Sequence, residues 1–128
     1  HVVNKILGKE DEINFDLMPS AIFTYPEAAS VGKSEDQLKA EGCEYECRKG
    51  FHRSNGKALA MNETDGMVKL FVNKADGKIL GCHAFGAHSS DMVQEISALM
   101  SKGATITDLA NAIHIHPTIG EILHDIAL

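Results

Sequence analysis

The stretch TDGMVKLFVNKADGKILGCHAF, Thr64 to Phe85, decides the fold. A dense apolar run from Met67 to Val72 and a second around Ile79, Leu80 and Cys82 flank an Asp76-Gly77 turn, and Asp65-Gly66 marks another turn at the entry. Two short apolar runs either side of an Asp-Gly pair predict an antiparallel β-hairpin. From Ser90 the period changes: Met92, Ile96, Leu99 and Met100 share one helical face, and Gly103 supplies a stop. A helix over Ser90 to Lys102 is expected to pack on the sheet.

Upstream, Tyr45, Cys47, Lys49 and Phe51 alternate as a strand does, and Asn55-Gly56 reads as a turn. Ser34 with Gln37 three residues later forms a capping box for a short helix that Gly42 ends. Ala21, Ile22 and Phe23 lead into an extended segment that resumes from Ala28 to Val31 after Tyr25 and Pro26, which predicts one strand interrupted by a bend. Val2, Val3, Ile6 and Leu7 have helical spacing for two turns before Gly8 and the acidic run from Glu10 to Asp16. Residues 1–18 therefore read as the end of an upstream element and a linker, and residues 19–128 as one domain. Downstream, a short helix is expected at Asp108 to Ala112. A last one, Thr118 to Leu128, carries Ile119, Ile122, Leu123 and Ile126 at i, i+3, i+4, i+7 spacing. Strands first and helices last make an α+β fold, an antiparallel sheet with helices packed on one face.

With 128 residues, the chain can bury a core without disulfides or a structural metal. A net charge of -6 argues against nucleic acid or an acidic membrane surface as a partner. No apolar run approaches the ~20 residues that span a bilayer. The chain starts without a Met or a signal-type apolar region, so a piece of a longer soluble protein is expected. Three cysteines, an odd number without a CxxC pair, point to a reducing, cytoplasmic setting. Cys43 and Cys47 are spaced as a CxxxC, but Cys47 falls in the strand alternation, where a small buried hydrophobe is the commoner role.

Several segments imitate motifs without meeting their mechanics. VGKS, Val31 to Ser34, lacks the first glycine of a phosphate-binding P-loop, because Glu27 stands at that position. Gly81 and Gly86 flank CHAF without the spacing that brings backbone amides to a pyrophosphate. Seven histidines, His83, His88, His114, His116 and His124 among them, show no strong zinc spacing, and no metal is expected.

HIHPTIGE, His114 to Glu121, holds the material for acid/base chemistry. His116 precedes Pro117, a position biased to extended backbone, and Glu121 lies five residues on. A carboxylate there can orient one ring nitrogen and stabilise the imidazolium, as a general base requires. Thr118 and Glu121 also read as a capping box, so two roles compete for the Glu121 oxygens.

PSAIFTYPEAASVG (Pro19 to Gly32), SNGKALAMNETDGMVKLFV (Ser54 to Val72), ILGCHAFGAHSSDMVQEI (Ile79 to Ile96) and HIHPTIGE together resemble the C-terminal dimerisation domain of the flavin-dependent pyridine nucleotide-disulfide oxidoreductases. The resemblance runs in order from about Pro19 to the end. TDGMVK and the HxHPT segment are most similar to the dihydrolipoamide dehydrogenase branch, with mercuric-reductase-like and glutathione-reductase-like members sharing much of the pattern. It implies a homodimer in which FAD, NAD(P) and the redox-active cysteine pair sit on upstream domains, so this fragment alone is expected to be inactive and to hold no cofactor. It places the family's catalytic histidine on His116 and its partner on Glu121, acting on a dithiol or disulfide substrate in the other subunit's active site. It implies further a cis His116-Pro117 bond whose backbone approaches the partner's flavin, and it assigns His114 no catalytic task.

Overall fold

In a computed structural model describing residues 1–128, five antiparallel strands form one sheet in the order β1-β2-β5-β4-β3. They are β1 (Ser20–Ile22), β2 (Ala28–Gly32), β3 (Tyr45–Phe51), β4 (Met67–Asn73) and β5 (Ile79–Phe85). The helices are α1 (Val2–Ile6), α2 (Glu35–Ala40), α3 (Gly56–Met61), α4 (Ser89–Met100), α5 (Ile106–Asn111) and α6 (Glu121–Ala127). The α+β architecture expected from the strand and helix patterns is the one observed.

The β4–β5 hairpin is the centre of the sheet, with Met67 opposite Phe85 and Leu70 opposite Cys82. Because side chains alternate across a strand, Val68, Leu70, Val72, Cys82 and Ala84 line one face and Met67, Lys69, Phe71, His83 and Phe85 the other. The first set joins Val31 of β2, Met92, Val93 and Ile96 of α4, and Ile122, Leu123 and Ile126 of α6 in one buried cluster. Each fully buried aliphatic side chain contributes about 1.5–3 kcal/mol from its removal from water. The opposite face keeps Phe71 buried by edge contacts with Tyr45 and His83, at ring separations of 5.7 and 5.8 Å. The short α2 reaches this side: Glu35 accepts a hydrogen bond from the Tyr45 hydroxyl at 3.1 Å and pairs with Lys69 at 3.5 Å.

On β3 the face that meets α6 carries Arg48 and Gly50 rather than apolar residues. Gly50 is there for space. A Cβ on it would lie 2.5 Å from Ile122 Cγ2 and 2.7 Å from Ile126 Cγ2, so only a bare backbone lets the helix lie down. Arg48 secures the far end of that helix, its Nη1 donating to the carbonyls of Ile126 at 3.2 Å and Ala127 at 2.9 Å. A cation beside unpaired C-terminal carbonyls complements both their hydrogen-bonding need and the helix dipole.

Three local readings are corrected. Asn55-Gly56 is not a chain reversal: Asn55 caps α3, its Oδ1 accepting from the Ala58 amide at 2.9 Å. A short polar side chain serves a turn or a helix start equally well, and the residues that follow decided for the helix. The segment from Ala21 to Val31 is not one bent strand but two, β1 folding back on β2 with Ile22 opposite Ala28. The Tyr25-Pro26 peptide within the connection is cis. Thr118 does not cap the last helix with its hydroxyl, which instead donates to the Ile115 carbonyl at 2.7 Å. Regular helix starts only at Glu121, while Ile119 is buried in the core ahead of it.

The α4 start has a cap that local spacing does not reveal. His88, in the left-handed region, makes no side-chain cap. Glu27, from the β1–β2 connection, accepts from the His88 and Ser90 amides at 3.1 and 3.3 Å instead. An anion at the positive end of a helix is favourable on both counts.

Candidate functional site

The loop from Ala112 to Gly120 carries the histidine pair between α5 and α6. The His116-Pro117 peptide is cis. His116 Nδ1 lies 2.8 Å from Glu121 Oε1, and Glu121 Oε2 accepts from the Thr118 amide at 2.9 Å. Each carboxylate oxygen therefore serves one of the two roles that compete on paper. The backbone bond from Thr118, followed by the His116 contact, holds the Glu121 carboxyl below its ordinary range.

An ionised Glu121 can only accept, so the proton of that contact sits on His116 Nδ1. Nε2 then carries a lone pair. The His116 side chain is 82% exposed and Nε2 has no hydrogen bond of its own, so the basic nitrogen faces outward. Such an arrangement can take a proton from a group brought to it and stabilise the resulting imidazolium through Glu121. By itself it has neither a nucleophile nor an oxidant to work with.

His114, two residues earlier, goes a different way. Its side chain is only 10% exposed, with Nε2 2.9 Å from Glu95 Oε1 of α4 and the ring 5.5 Å from that of His124. Two imidazoles in an HxH segment share a side only in a regular strand, and this loop belongs to no ladder. No three His, Cys, Asp or Glu side chains converge as a metal cluster would require. The Glu95 partner, 19 positions away, has no signature in local spacing. The three cysteines are free, and burial pushes the Cys82 thiol up to about 12. Burial also raises the Cys47 thiol.

Beneath the loop lies a cleft of about 610 Å³ bordered by Met92, Glu95, His114 and Thr118. Ile113 and Ile115 stand at its rim with their side chains in solvent. No helix of the fold is long and apolar enough to cross a membrane.

The stability of the Glu121 contacts has a pH signature. A carboxyl held low in the folded state adds stability that is fully present above its unfolded pKa, ~4.3 for glutamate, and lost as pH falls through the lower folded value. Denaturant titrations of this chain and a Glu121→Gln variant should therefore differ most at neutral pH and converge on acidification below about pH 4. A gap that widened in acid would contradict the hydrogen bonds described.

Residues 18–127 match the family pattern of the pyridine nucleotide-disulphide oxidoreductase dimerisation domain. The chain is 43% identical over 122 residues to dihydrolipoyl dehydrogenase of Bacillus subtilis, covering 95% of this chain and 26% of that protein. It is 39% identical over 123 residues to the human mitochondrial dihydrolipoyl dehydrogenase, covering 96% and 24% respectively. Among solved structures, the Escherichia coli HOCl-induced flavoprotein disulfide reductase RclA superposes with a TM-score of 0.89 at 25% identity, over 98% of this chain and 29% of that one. LpdA from Mycobacterium tuberculosis shares the fold, with a TM-score of 0.88 at 21% identity, over 98% of this chain and 28% of that one. The chain thus spans about a quarter of the length of the curated relatives it matches. The family pattern spans most of the chain and the relatives agree with it: the chain belongs to the pyridine nucleotide-disulphide oxidoreductase dimerisation domains and is dihydrolipoyl dehydrogenase-like.

Proposed function

We propose that this chain is the self-associating part of a flavoprotein dithiol/disulfide oxidoreductase and lends His116 and Glu121 to the partner subunit's active site. The observation that carries the reading is the His116 ring, fixed at Nδ1 by Glu121 and open at Nε2. A base so placed, with nothing beside it to act on, suits a reaction centre completed by another chain.

Only a thiolate attacks a disulfide, and a dithiol near its free pKa of ~8.5 is mostly protonated at neutral pH. His116 Nε2 accepts the thiol proton as the sulfur attacks one sulfur of the parent's redox disulfide, forming a mixed disulfide and expelling the other cysteine as a thiolate; Glu121 stabilises the imidazolium, and the proton returns in the reverse direction. FAD and NAD(P), held on the parent's other domains, supply the onward path for the electron pair. The chain's share in that site is a border, the exposed His116-Pro117 segment lying alongside a flavin of the partner. The domain occupies residues 19–128, with residues 1–18 as the end of an upstream element and linker. Ile113 and Ile115, exposed on the same loop, suit burial by the second copy. Three free thiols fit a reducing compartment, the cytoplasm being the simplest.

Mixed dimers of the parent enzyme test the lending directly. One chain carries His116→Gln and the other lacks a redox-active cysteine, so neither homodimer works. If the base crosses the interface, the heterodimer keeps one of its two sites, pairing the intact disulfide with the other chain's His116. A heterodimer without activity would place the base in its own subunit and refute the proposal.

A further inference from the structure

We propose that Asn55 is a positioning residue for His116, acting through Thr118. Asn55 is 4% exposed and its carboxamide bridges two segments. Oδ1 accepts from the Ala58 amide at 2.9 Å, and Nδ2 donates to the Thr118 carbonyl at 3.0 Å across 63 positions of sequence. Thr118 directly follows the His116-Pro117 pair, and all three of its polar groups are engaged. Its amide donates to Glu121 Oε2 at 2.9 Å, its hydroxyl donates to the Ile115 carbonyl at 2.7 Å, and its carbonyl accepts from Asn55.

Those bonds differ in what they anchor. The hydroxyl bond ties the loop to itself, and the Glu121 bond ties it to the first turn of α6, which also holds the imidazole. Asn55 alone among them joins the loop to the α3 start, an element that makes no hydrogen bond to the His116 or Glu121 side chain. Without that bond the loop could shift against the first turn of α6, which Ile122, Leu123 and Ile126 hold in the core. The 2.8 Å contact between His116 Nδ1 and Glu121 Oε1 would then lose its fixed geometry, and with it the preference for a proton on Nδ1. The catalytic meaning of this placement rests on reading His116 as the lent base; the placement itself does not.

The two bonds of the carboxamide separate cleanly in an Asn55→Asp variant. Aspartate caps a helix as well as asparagine does, so the Ala58 bond is kept. Toward Thr118 it presents a second acceptor where a donor stood, so that bond is lost. The readout is the ¹⁵N shift pair of the His116 ring in the 128-residue chain at alkaline pH, which reports which nitrogen bears the proton. The unmodified chain should hold the proton on Nδ1. In Asn55→Asp the Nδ1–H to Nε2–H ratio should fall roughly fivefold or more, the factor that the free energy of one hydrogen bond carries. Ala58 amide exchange should stay slow. An unchanged ratio overturns the proposal, as does a changed ratio accompanied by loss of Ala58 protection, which would mean that α3 itself had frayed.

Should the variant fail to fold, the Asn55 carboxamide protons of the unmodified chain decide. Slow exchange with water supports the bridge, and exchange as fast as at an exposed asparagine overturns it. None of these readouts uses turnover. A tautomer shift in Asn55→Asp combined with full activity of a His116→Ala parent would retain the positioning role and reject the lent base.

Discussion

Replacing His116 by alanine in the parent flavoenzyme is expected to lower dithiol-driven turnover by about 10²–10⁴-fold, the usual share of a general acid/base. Folding should hardly change, because the side chain is 82% exposed and its only hydrogen bond goes to Glu121. Exposed substitutions of this kind stay within about 0.5 kcal/mol. The loss should also depend on pH. As pH rises toward the free thiol pKa of ~8.5, solvent deprotonates a growing fraction of the dithiol and the base becomes less necessary. The ratio of unmodified to variant rate should therefore shrink steadily between neutral pH and about pH 9. Stopped-flow reduction by dithiol, followed through the flavin absorbance, gives that ratio without interference from product release. A deficit below tenfold would remove His116 from the proton transfer. A large deficit that ignored pH would point to binding instead.

Gly50→Val should be the most damaging single change to the fold around the site. Valine favours strands, and that preference is worth at most about 1 kcal/mol. Against it stands the contact with α6, where even a Cβ would come within 2.5 Å of Ile122 Cγ2 and 2.7 Å of Ile126 Cγ2. Both methyls branch directly from Cβ, so neither can swing aside as a long side chain does. Overpacking of this type costs about 1–3 kcal/mol, occasionally more, and the valine γ-carbons put this site at the upper end. A net loss of about 2 kcal/mol or more in urea denaturation is expected, with Gly50→Ala intermediate. The effect should reach the site, because the helix that must lift off β3 begins with Glu121. An unmoved denaturation midpoint would mean that α6 does not lie on β3 at this distance.

The parts of the molecule legible in the sequence are those whose periodicity has a single structural solution. Met67 to Cys82 alternates about an Asp-Gly turn, and Met92 to Met100 repeats on one helical face; both became the elements they resemble. Asn55-Gly56 was ambiguous because a carboxamide closes a turn and caps a helix with the same atom, and GKALAM has too short an apolar stripe to announce itself. The reversal between β1 and β2 was hidden by length: three paired residues leave no alternation to count. At the site, His116 and Glu121 were visible as a local pair. Glu95 against His114 was not, nor was Asn55 against Thr118, since both depend on the packing of distant elements. Arg48 and Gly50 on an inward-facing strand side also run against the usual apolar pattern. They make sense only once the end of α6 is laid across them.

The two oxygens of Glu121 set a symmetry requirement on that position. One faces the His116 ring and the other the Thr118 amide, and both of those neighbours are donors. A carboxylate looks the same after a half-turn about its axis and can meet two donors at once; a carboxamide does not and cannot. Glutamine would have the right length, but either orientation sets its NH₂ against an N–H. The one escape is for His116 to give up the Nδ1 proton and carry it on Nε2, which closes the face through which the ring would accept one. Glutamine at 121 would thus preserve the shape of the pair while inverting its polarity, leaving a folded domain whose histidine turns a protonated Nε2 outward.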